Sequence, residues 1–380
     1  MRILFWSELF RPYIGGAEIW GMSFLRRLSQ RGHEVTVITS HDGIKLPDET
    51  SYDGIAIYRF PFRKILRTGD LQQFRVTRQQ VASLKRLVKP DLIHVNAVSA
   101  SALFHLQTAD ADRGSPWLIR INQEILSADG TAPNTLLRRV LSTADWVTCV
   151  SAMLLEQVRK RAPEIVRRSS VIYSGLTVSC EGPRPLNINQ GALLCLGRLV
   201  PAKGFDLALD ALAVAVRRFP RLRLIIAGDG PARLNLERRA VELGLSKSVE
   251  FVGWVGPDLV TNLLSNTSVV LMPSRREGLP VVAIQAALAG KPIIAARVSG
   301  LPEAVIPGET GLLIEKEDAQ ALADAICYLA ERPETIVRMG QATRRRAQEL
   351  FSEEKCVDAY DALYRKLRER NTHATTPITT

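Results

Sequence analysis

The chain alternates short apolar runs with longer stretches in which apolar residues recur at helical spacing. Runs rich in Ile, Val and Leu are typical of buried strands, and the periodic stretches between them are typical of amphipathic helices. Strands that alternate with helices predict a parallel sheet with crossover connections. The strands predicted in the first half are Ile3–Trp6, Glu34–Thr39, Ile55–Arg59, Leu92–Val95, Trp117–Ile121 and Trp146–Val150.

The stretch after the first strand carries the helical pattern. Over residues 17–30, the side chains of Trp20, Phe24, Leu25 and Leu28 fall on one stripe of a helix. A glycine at position 32 ends this helix before the next strand begins. The pattern therefore predicts a βαβ unit at the start of the chain.

A second series of strands begins after a polar, proline-containing stretch. Its members are Ala192–Leu196, Leu222–Ala227, Val249–Val252, Val269–Met272 and Pro292–Ala295. We predict an α/β protein of two doubly wound domains, with the carboxyl ends of their strands around one cleft. The predicted divisions are a first domain at 1–178, a linker at 179–190, a second domain at 191–351, a helix at 352–370 that crosses back to the first domain, and a flexible tail at 371–380.

A net charge of +11 over 380 residues indicates an anionic partner without saying which kind. The charge is concentrated between Arg63 and Lys89, where Asp70 is the single acidic residue. This basic segment is either a solvated helical face or a docking surface for an anionic membrane or a phosphorylated acceptor. Neither a recognition motif nor an interleaved aromatic stripe accompanies it, so we expect no nucleic-acid partner. The basic residues are Arg63, Lys64, Arg67, Arg75, Arg78, Lys85, Arg86 and Lys89.

The five cysteines are scattered and lack the spacing of metal ligands, so we predict reduced thiols and no metal site. No apolar stretch approaches the length of a membrane span, and the first residues are too short in apolar core for a signal peptide. These features predict a cytoplasmic protein. The membrane hypothesis for the basic segment would place it at the inner face of the membrane.

The most informative motif follows the predicted strand Val269–Met272. Glu277 stands just ahead of a predicted helix, in which Pro280 takes the first helical position and Gly290 gives the stop signal. Backbone N–H groups and the positive end of a helix dipole suit a bound phosphate, while a carboxylate beside them can bind hydroxyl groups. A phosphate that carries a sugar satisfies both requirements.

A second motif follows the predicted strand Ala192–Leu196. Gly197 and Gly204 permit close approach of a ligand to the backbone, and Arg198 and Lys203 bring two cations to the same loop. Arg offers a planar fork and Lys a compact charge, which together suit a diphosphate. The alternative is a pair of solvated surface cations.

Weaker signals stand at other predicted strand ends. Gly15 and Gly16 follow the first strand and leave room for a ligand at a helix start, where Glu18 is best explained as a first-turn charge. Gly228 lies in a glycine turn after another strand, where a tight turn alone would explain it. Each of these signals is nonspecific when taken alone.

Together the motifs resemble the family-four retaining glycosyltransferases, also described as glycosyl transferases group 1, over roughly residues 1 to 305. That family's signature is a glutamate, seven residues and a second glutamate, and it is matched by Glu277 and, with a change, by Gln285. The resemblance implies a GT-B fold of two Rossmann-like domains. It also implies a nucleotide-diphosphate sugar as donor, UDP- or GDP-linked, a glycan or lipid-linked hydroxyl acceptor, and no metal or cofactor.

The resemblance also implies roles for individual residues. Arg198 and Lys203 would stabilise the departing diphosphate, and Glu277 would hold the sugar. The bound nucleobase would pack near Val252 and Trp254, although Trp254 could equally fill the domain interior. The implied donor-binding residues are Gly15, Gly16, Gly197, Gly228, Val252, Trp254, Gly278, Leu279 and Gln285.

Three positions depart from the family pattern or leave a role open. Asn122 stands where many relatives have a histidine beside the donor sugar, and an amide carries no proton at neutral pH. Gln285 replaces a carboxylate that commonly binds ribose hydroxyls. His94 either lines the acceptor side or is a structural histidine. The alternative function is therefore a catalytically weakened relative that binds a nucleotide-sugar or a partner subunit; a nucleotide-sugar epimerase would need an acid/base set that the sequence lacks.

Overall fold

The computed structural model describes residues 1–13, 15–41, 43–112, 114–125, 135–178 and 192–375. The predicted linker at 179–190 and the end of the predicted tail at 376–380 lie outside the described residues. The chain divides into two compact units. The first comprises Met1–Tyr173 with Glu354–Thr380, and the second comprises Ser174–Glu353.

The first unit contains an eight-stranded sheet in the order β3-β4-β2-β1-β5-β6-β7-β8. All neighbouring strands are parallel except β3, which pairs antiparallel with β4 at one edge. The six predicted strands are confirmed, and β3 and β8 are additional edge strands. The bounds are β1 Arg2–Ser7, β2 Glu34–Ser40, β3 Glu49–Tyr52, β4 Ile55–Phe60, β5 Leu92–Asn96, β6 Trp117–Ile121, β7 Trp146–Cys149 and β8 Ser169–Val171.

Helices cover this sheet, and the predicted βαβ start is confirmed. Helix α1 buries the predicted stripe of Trp20, Phe24, Leu25 and Leu28. The bounds are α1 Gly16–Gln30, α2 Phe62–Thr68, α3 Leu71–Val88, α4 Ala100–Leu106, α5 Leu136–Thr143 and α6 Ala152–Arg161.

The last helix of the chain, α14, spans Glu353–Thr375 and packs in the first unit through Tyr360 and Tyr364. It continues to Thr375, past residue 371, where the predicted flexible tail begins. The Asn371 side-chain amide donates to the Gly114 carbonyl at 3.0 Å.

The second unit contains a fully parallel six-stranded sheet in the order β11-β10-β9-β12-β13-β14. The five predicted strands are confirmed, and β14 is additional. The bounds are β9 Ala192–Leu196, β10 Arg223–Ala227, β11 Val249–Gly253, β12 Val269–Met272, β13 Ile293–Ala296 and β14 Gly311–Ile314. The helices are α7 Phe205–Arg218, α8 Arg233–Glu242, α9 Pro257–Asn266, α10 Val281–Leu288, α11 Leu301–Ala304, α12 Ala319–Ala330 and α13 Pro333–Leu350.

A core of aliphatic side chains joins these strands to α7 and α12, including Leu193, Cys195, Ile226, Leu271 and Ile294. Both faces of the parallel sheet are covered, as the continuous apolar strands predict. Among the residues that the structure describes, every helix is too short or too polar to cross a bilayer.

Candidate active site

The strand order of the second unit reverses at β9. The chain proceeds from β9 to β10 and β11 on one side, then returns to β12 on the other side of β9. In open parallel sheets, ligands bind outside the carboxyl ends of the strands where the order reverses in this way. The loops that follow β9 and β12 therefore occupy the expected binding position.

Lys203 and Glu277, two of the charged residues predicted in these loops, are in contact. A short 3-10 turn, Pro201–Lys203, presents Lys203, whose Nζ donates to Oε1 of Glu277 at 2.5 Å. The Ser274 hydroxyl donates to the same Oε1 at 2.9 Å. The Glu277 side chain is 8% exposed and that of Lys203 is 25% exposed. Because a nearly buried carboxylate needs partners, the two donors fix Glu277 in place beside the cation.

Glycines allow the loops to approach one another. Gly204 has φ 65°, and a Cβ built there would lie 2.0 Å from the Pro273 carbonyl oxygen. Gly228 has φ 139°, and a Cβ there would lie 1.9 Å from the Gly197 carbonyl oxygen. Backbone contacts this close exclude any other residue type. Gly204 thus allows the Lys203 turn to pack against the loop after β12. Gly228 in the same way allows the turn after β10 to pack against the loop after β9.

The remaining predicted residues on the Glu277 side lie just before α10 or within it. Gly278 is buried and its carbonyl accepts from the Gly300 N–H at 2.7 Å, while Leu279 is also buried. Gln285 is half-buried in α10. Pro280 is the residue that caps α10 rather than its first helical residue, because its ψ of 136° is extended. The helix therefore starts one residue later than the sequence predicts.

Arg198 has an exposed side chain at the beginning of the loop after β9. Its carbonyl accepts from the Val200 N–H at 2.9 Å, which shapes the loop without occupying the guanidinium. The arginine therefore presents its planar fork to solvent on the loop that also carries Lys203.

The end of β11 lies beside the Gly228 turn, since the Gly228 N–H donates to the Gly253 carbonyl at 2.7 Å. Val252 is half-buried, and Trp254 is 57% exposed. An interior role for Trp254 is therefore wrong, because the ring lies at the surface just beyond the strand. The carboxyl ends of β9, β10 and β11 thus bring Gly197, Gly228 and Trp254 to one edge of the sheet.

In the first unit, Gly15 and Gly16 begin α1. Gly15 has an extended conformation that any residue adopts, but a Cβ there would lie 2.5 Å from Oε2 of Glu18. Burial raises the pKa of Glu18 above its ordinary value, and a hydrogen bond from its own backbone N–H offsets part of that rise. The carboxylate lies at the amino terminus of α1, in keeping with the predicted first-turn role. Asn122 follows β6 directly and is half-buried.

His94 does not line an acceptor surface. It lies on β5 with no exposed surface, and its Nδ1 is 2.6 Å from the Tyr364 hydroxyl. Phe5 and Phe24 pack edge-on against its ring. Burial lowers the pKa of His94 well below its ordinary value, and the charge of Arg120 lowers it further. The structural alternative is therefore the correct one, because a central strand is covered on both faces.

Ser274 and Arg275 contribute to the site although no sequence motif singled them out. Both lie between the end of β12 and Glu277; Ser274 contacts Glu277, and Arg275 contacts the turn that carries Lys203. Their position in the loop after a buried strand was the available signal.

The cysteines and acidic residues give no indication of a metal site in the part of the chain that the structure describes. No group of three or more His, Cys, Asp or Glu side chains is arranged there to hold a metal. Burial raises the pKa of the Cys149 thiol to about 12.

Comparison with known families matches both halves of the chain. The model described as Glycosyltransferase Family 4 matches residues 14–179, and the model described as Glycosyl transferases group 1 matches residues 183–346. The chain is also similar to the D-inositol 3-phosphate glycosyltransferase of Saccharomonospora viridis, with 32% identity over 266 residues. That match covers 64% of this chain and 62% of the relative, which is less than two thirds of either.

Solved structures give the same result for the fold. Sucrose-phosphate synthase from Thermosynechococcus elongatus superposes with a TM-score of 0.81 and 25% identity, covering 96% of this chain and 98% of that one. Anabaena HepE in complex with UDP and glucose superposes with a TM-score of 0.77 and 22% identity, covering 96% of this chain and all (100%) of that one. With two parallel-sheet units and a family match in each half, the chain belongs to the family-four, group 1 glycosyltransferases of GT-B fold.

Proposed function

We propose that this glycosyltransferase moves a hexosyl group from a nucleotide-diphosphate sugar to a hydroxyl of a glycan or lipid-linked acceptor, with retention of the anomeric configuration and without a metal ion. The observation that carries the proposal is the contact between Lys203 and Glu277 at the switch point of the second sheet. A cation and a fixed carboxylate at adjacent strand ends suit a molecule that has a phosphate next to a sugar.

Each charged residue has a role in this reaction. Arg198 and Lys203 neutralise the negative charge that develops on the diphosphate as its bond to the anomeric carbon breaks. The acceptor oxygen bonds to the anomeric carbon on the same face, and its proton passes to the departing phosphate oxygen. Glu277 accepts hydrogen bonds from sugar hydroxyls, and backbone N–H groups at Gly278 and Leu279 contribute further donors.

The nucleotide end of the donor is assigned to the other side of the switch point. The exposed ring of Trp254 offers an apolar face for a base, with Val252 and Gly228 beside it. The ribose contact is assigned to the Glu277 side, where Gln285 of α10 supplies a neutral hydrogen bond. The presence of UDP in the HepE structure favours a uridine nucleotide as the first donor to test, with GDP-sugars second.

In the first unit, the proposed sugar contacts are Asn122, Gly15 and Gly16. The Asn122 amide can exchange hydrogen bonds with sugar hydroxyls but carries no proton at neutral pH. The proposed chemistry therefore needs no general acid or base at this position, because the leaving phosphate takes the acceptor proton.

The test is transfer from UDP- and GDP-hexoses to glycan and lipid acceptors, with the anomeric configuration of the product determined by NMR. We expect retention, and we expect Lys203→Ala to lower kcat by about a hundredfold, the order of effect seen when one preorganised charge-stabilising donor is removed. Lys316→Ala, which removes a lysine after β14 in the same unit, is the control and should leave kcat unchanged. An inverted product would contradict the proposed mechanism.

Absence of transfer from every donor, with nucleotide binding intact, would favour the second function. That function is a catalytically weakened relative that binds nucleotide-sugars or a partner subunit. The replacement of two family residues by Asn122 and Gln285 is the observation that motivates it.

We further propose that α2 and α3 form a surface, here called the α2–α3 surface, that contacts an anionic membrane and brings the enzyme to a lipid-linked acceptor. Leu66, Leu71, Val76 and Leu87 are all exposed on these helices among basic side chains. Exposed apolar residues interspersed with Arg and Lys are typical of interfacial helices. The exposed cations are Arg63, Lys64, Arg67, Arg75, Arg78, Arg86 and Lys89.

Lys85 does not belong to this surface, although the sequence grouped it with the basic segment. It is fully buried, and its Nζ contacts Asp112 Oδ2 at 2.8 Å. The remaining exposed cations suffice for reversible attraction at about 1 kcal/mol each near an anionic leaflet.

A further inference from the structure

Arg275 makes a set of contacts that have no role in the proposed reaction described above. Its guanidinium faces Asp206 with two parallel bonds, from Nη1 to Oδ1 at 2.8 Å and from Nη2 to Oδ2 at 2.7 Å. Its Nε donates to Glu317 Oε1 at 2.7 Å. Two carboxylates thus hold one guanidinium from two sides, which fixes the orientation of the planar group.

The same residue also donates hydrogen bonds to the turn that carries Lys203. Nη1 of Arg275 donates to the Pro201 carbonyl at 2.7 Å, and its backbone N–H donates to the Ala202 carbonyl at 2.8 Å. These are two consecutive carbonyls of the turn that ends at Lys203. Arg275 therefore connects the loop of Glu277 directly to the turn of Lys203.

The ion pairs of Arg275 favour the charged forms of both Arg275 and Asp206. Burial alone would raise the pKa of Asp206, but the hydrogen bonds and charge of Arg275 lower it below its ordinary value. The hydrogen bonds that Arg275 donates to Asp206, followed by the one that it donates to Glu317, raise the pKa of Arg275. The side chain of Arg275 is 24% exposed, so solvent competes only in part for these contacts.

We propose that Arg275 is a positioning residue, which holds the Lys203 turn and the Glu277 loop in register so that both charges act on one donor. The inference rests on the proposed function and adds a residue that touches neither the donor nor the acceptor. Lysine cannot replace it, because a single ammonium cannot reproduce the fork that meets Asp206 while it also reaches the turn.

The experiment compares Arg275→Ala and Arg275→Lys with Arg297→Ala. Arg297 is the matched control, since its Nε contacts Glu315 Oε1 at 2.9 Å on the exposed surface after β13. We expect both Arg275 variants to lower kcat about tenfold or more, with less than about a threefold change in the donor KM, because small displacements of a catalytic group cost rate. Arg297→Ala should leave both values unchanged. Should Arg275→Ala fail to fold, Arg275→Lys carries the comparison.

A second arm tests whether Arg275 acts through Lys203. Adding Arg275→Ala to Lys203→Ala should lower kcat by a smaller factor than Arg275→Ala does in the wild-type protein, since one of the two groups being positioned is already absent. A multiplicative loss in the double variant would overturn the inference. So would an Arg275→Lys enzyme that is as active as the Arg297→Ala control.

Amide hydrogen exchange of residues 202–206, measured without donor, separates this inference from the proposed function. Faster exchange in Arg275→Ala than in Arg297→Ala is expected, because the turn loses its anchors. A wild-type protein that transfers no sugar would contradict the proposed function alone. Equal exchange rates in Arg275→Ala and Arg297→Ala would contradict the positioning role, whatever the activity of the wild type.

Discussion

At the scale of single residues, Lys85 is a charge that folding removes completely from water. Its Nζ contacts Asp112 Oδ2 at 2.8 Å, His105 Nδ1 at 3.1 Å and the Thr108 carbonyl at 3.1 Å. Burial lowers the pKa of Lys85, and the charge of Asp112 opposes that shift. The ammonium is therefore tolerated in the interior because α4 and the segment that follows it supply these partners.

We predict that Asp112→Asn destabilises the first unit by about 3–5 kcal/mol, because it leaves a buried ammonium without its carboxylate. Glu156→Gln is the matched control, since it breaks the exposed pair with Lys160 and should change stability little. The measurement is the midpoint of urea denaturation. Equal midpoints for the two variants would contradict the importance of the buried pair.

Some residue roles could be predicted from sequence and others could not. Glu277, Arg198 and Lys203 stood at the ends of strongly patterned strands, so their loops were predictable. The burial of Lys85 was readable in part, since it shares the inner stripe of α3 with Val81 and Leu84. The burial of His94 follows from its place on a central strand. The contacts of Arg275 depend on carbonyl positions in another loop, and no local pattern encodes them.

At the scale of secondary structure elements, the α2–α3 surface gives a test of membrane contact. Val76 and Leu87 lie on one stripe of α3, and Leu87 is 74% exposed. We predict that Val76→Ser with Leu87→Ser weakens sedimentation with vesicles containing anionic lipid several-fold, because it removes buried apolar contact at the interface.

The matched control is Leu234→Ser with Val241→Ser on α8. These side chains are similarly exposed at 75% and 67%, but their helix carries acidic residues among its basic ones. The control variant should sediment like the wild type. Binding that is independent of anionic lipid would exclude the proposed surface.

The elements themselves were largely predictable where they are buried on both sides. Every strand predicted from a continuous apolar run is present, including β1, β5, β9 and β12. The missed strands β3, β8 and β14 are short edge or near-edge elements with partly exposed residues. Their pairing is stabilised by the neighbouring strand more than by their own sequence, so a local pattern is weak there.

At the scale of the whole molecule, the charges proposed to bind the donor diphosphate and sugar all belong to the second unit. We predict that UDP or GDP raises the melting temperature of the protein. A ligand at about a hundredfold over its dissociation constant adds about 2.7 kcal/mol to the free energy of unfolding. Arg198→Ala with Lys203→Ala should abolish the shift. A comparison of UDP, GDP and ADP then identifies the nucleotide class, and a shift that survives in the double variant would place the diphosphate elsewhere.

The division into two units also shows what the sequence could and could not anticipate. Two series of strands predicted two α/β domains, and the structure contains two parallel-sheet units. The continuation of α14 to Thr375 was not predictable from the polar residues after Arg370. The hydrogen bond from the Asn371 side chain to the Gly114 carbonyl is a long-range contact that local sequence does not encode.

The reversal of strand order at β9 has a consequence for how such an enzyme diversifies. On the proposed assignment, the strands β10 and β11 carry the base-reading residues, β12 carries the sugar-holding loop, and β9 between them carries the diphosphate charges. The base, the diphosphate and the sugar thus follow the order of the strands, whereas the ribose is assigned to Gln285 of α10, after β12. Base choice alone is therefore separable, and the β10 and β11 loops could be exchanged between relatives while the loops after β9 and β12 stay the same.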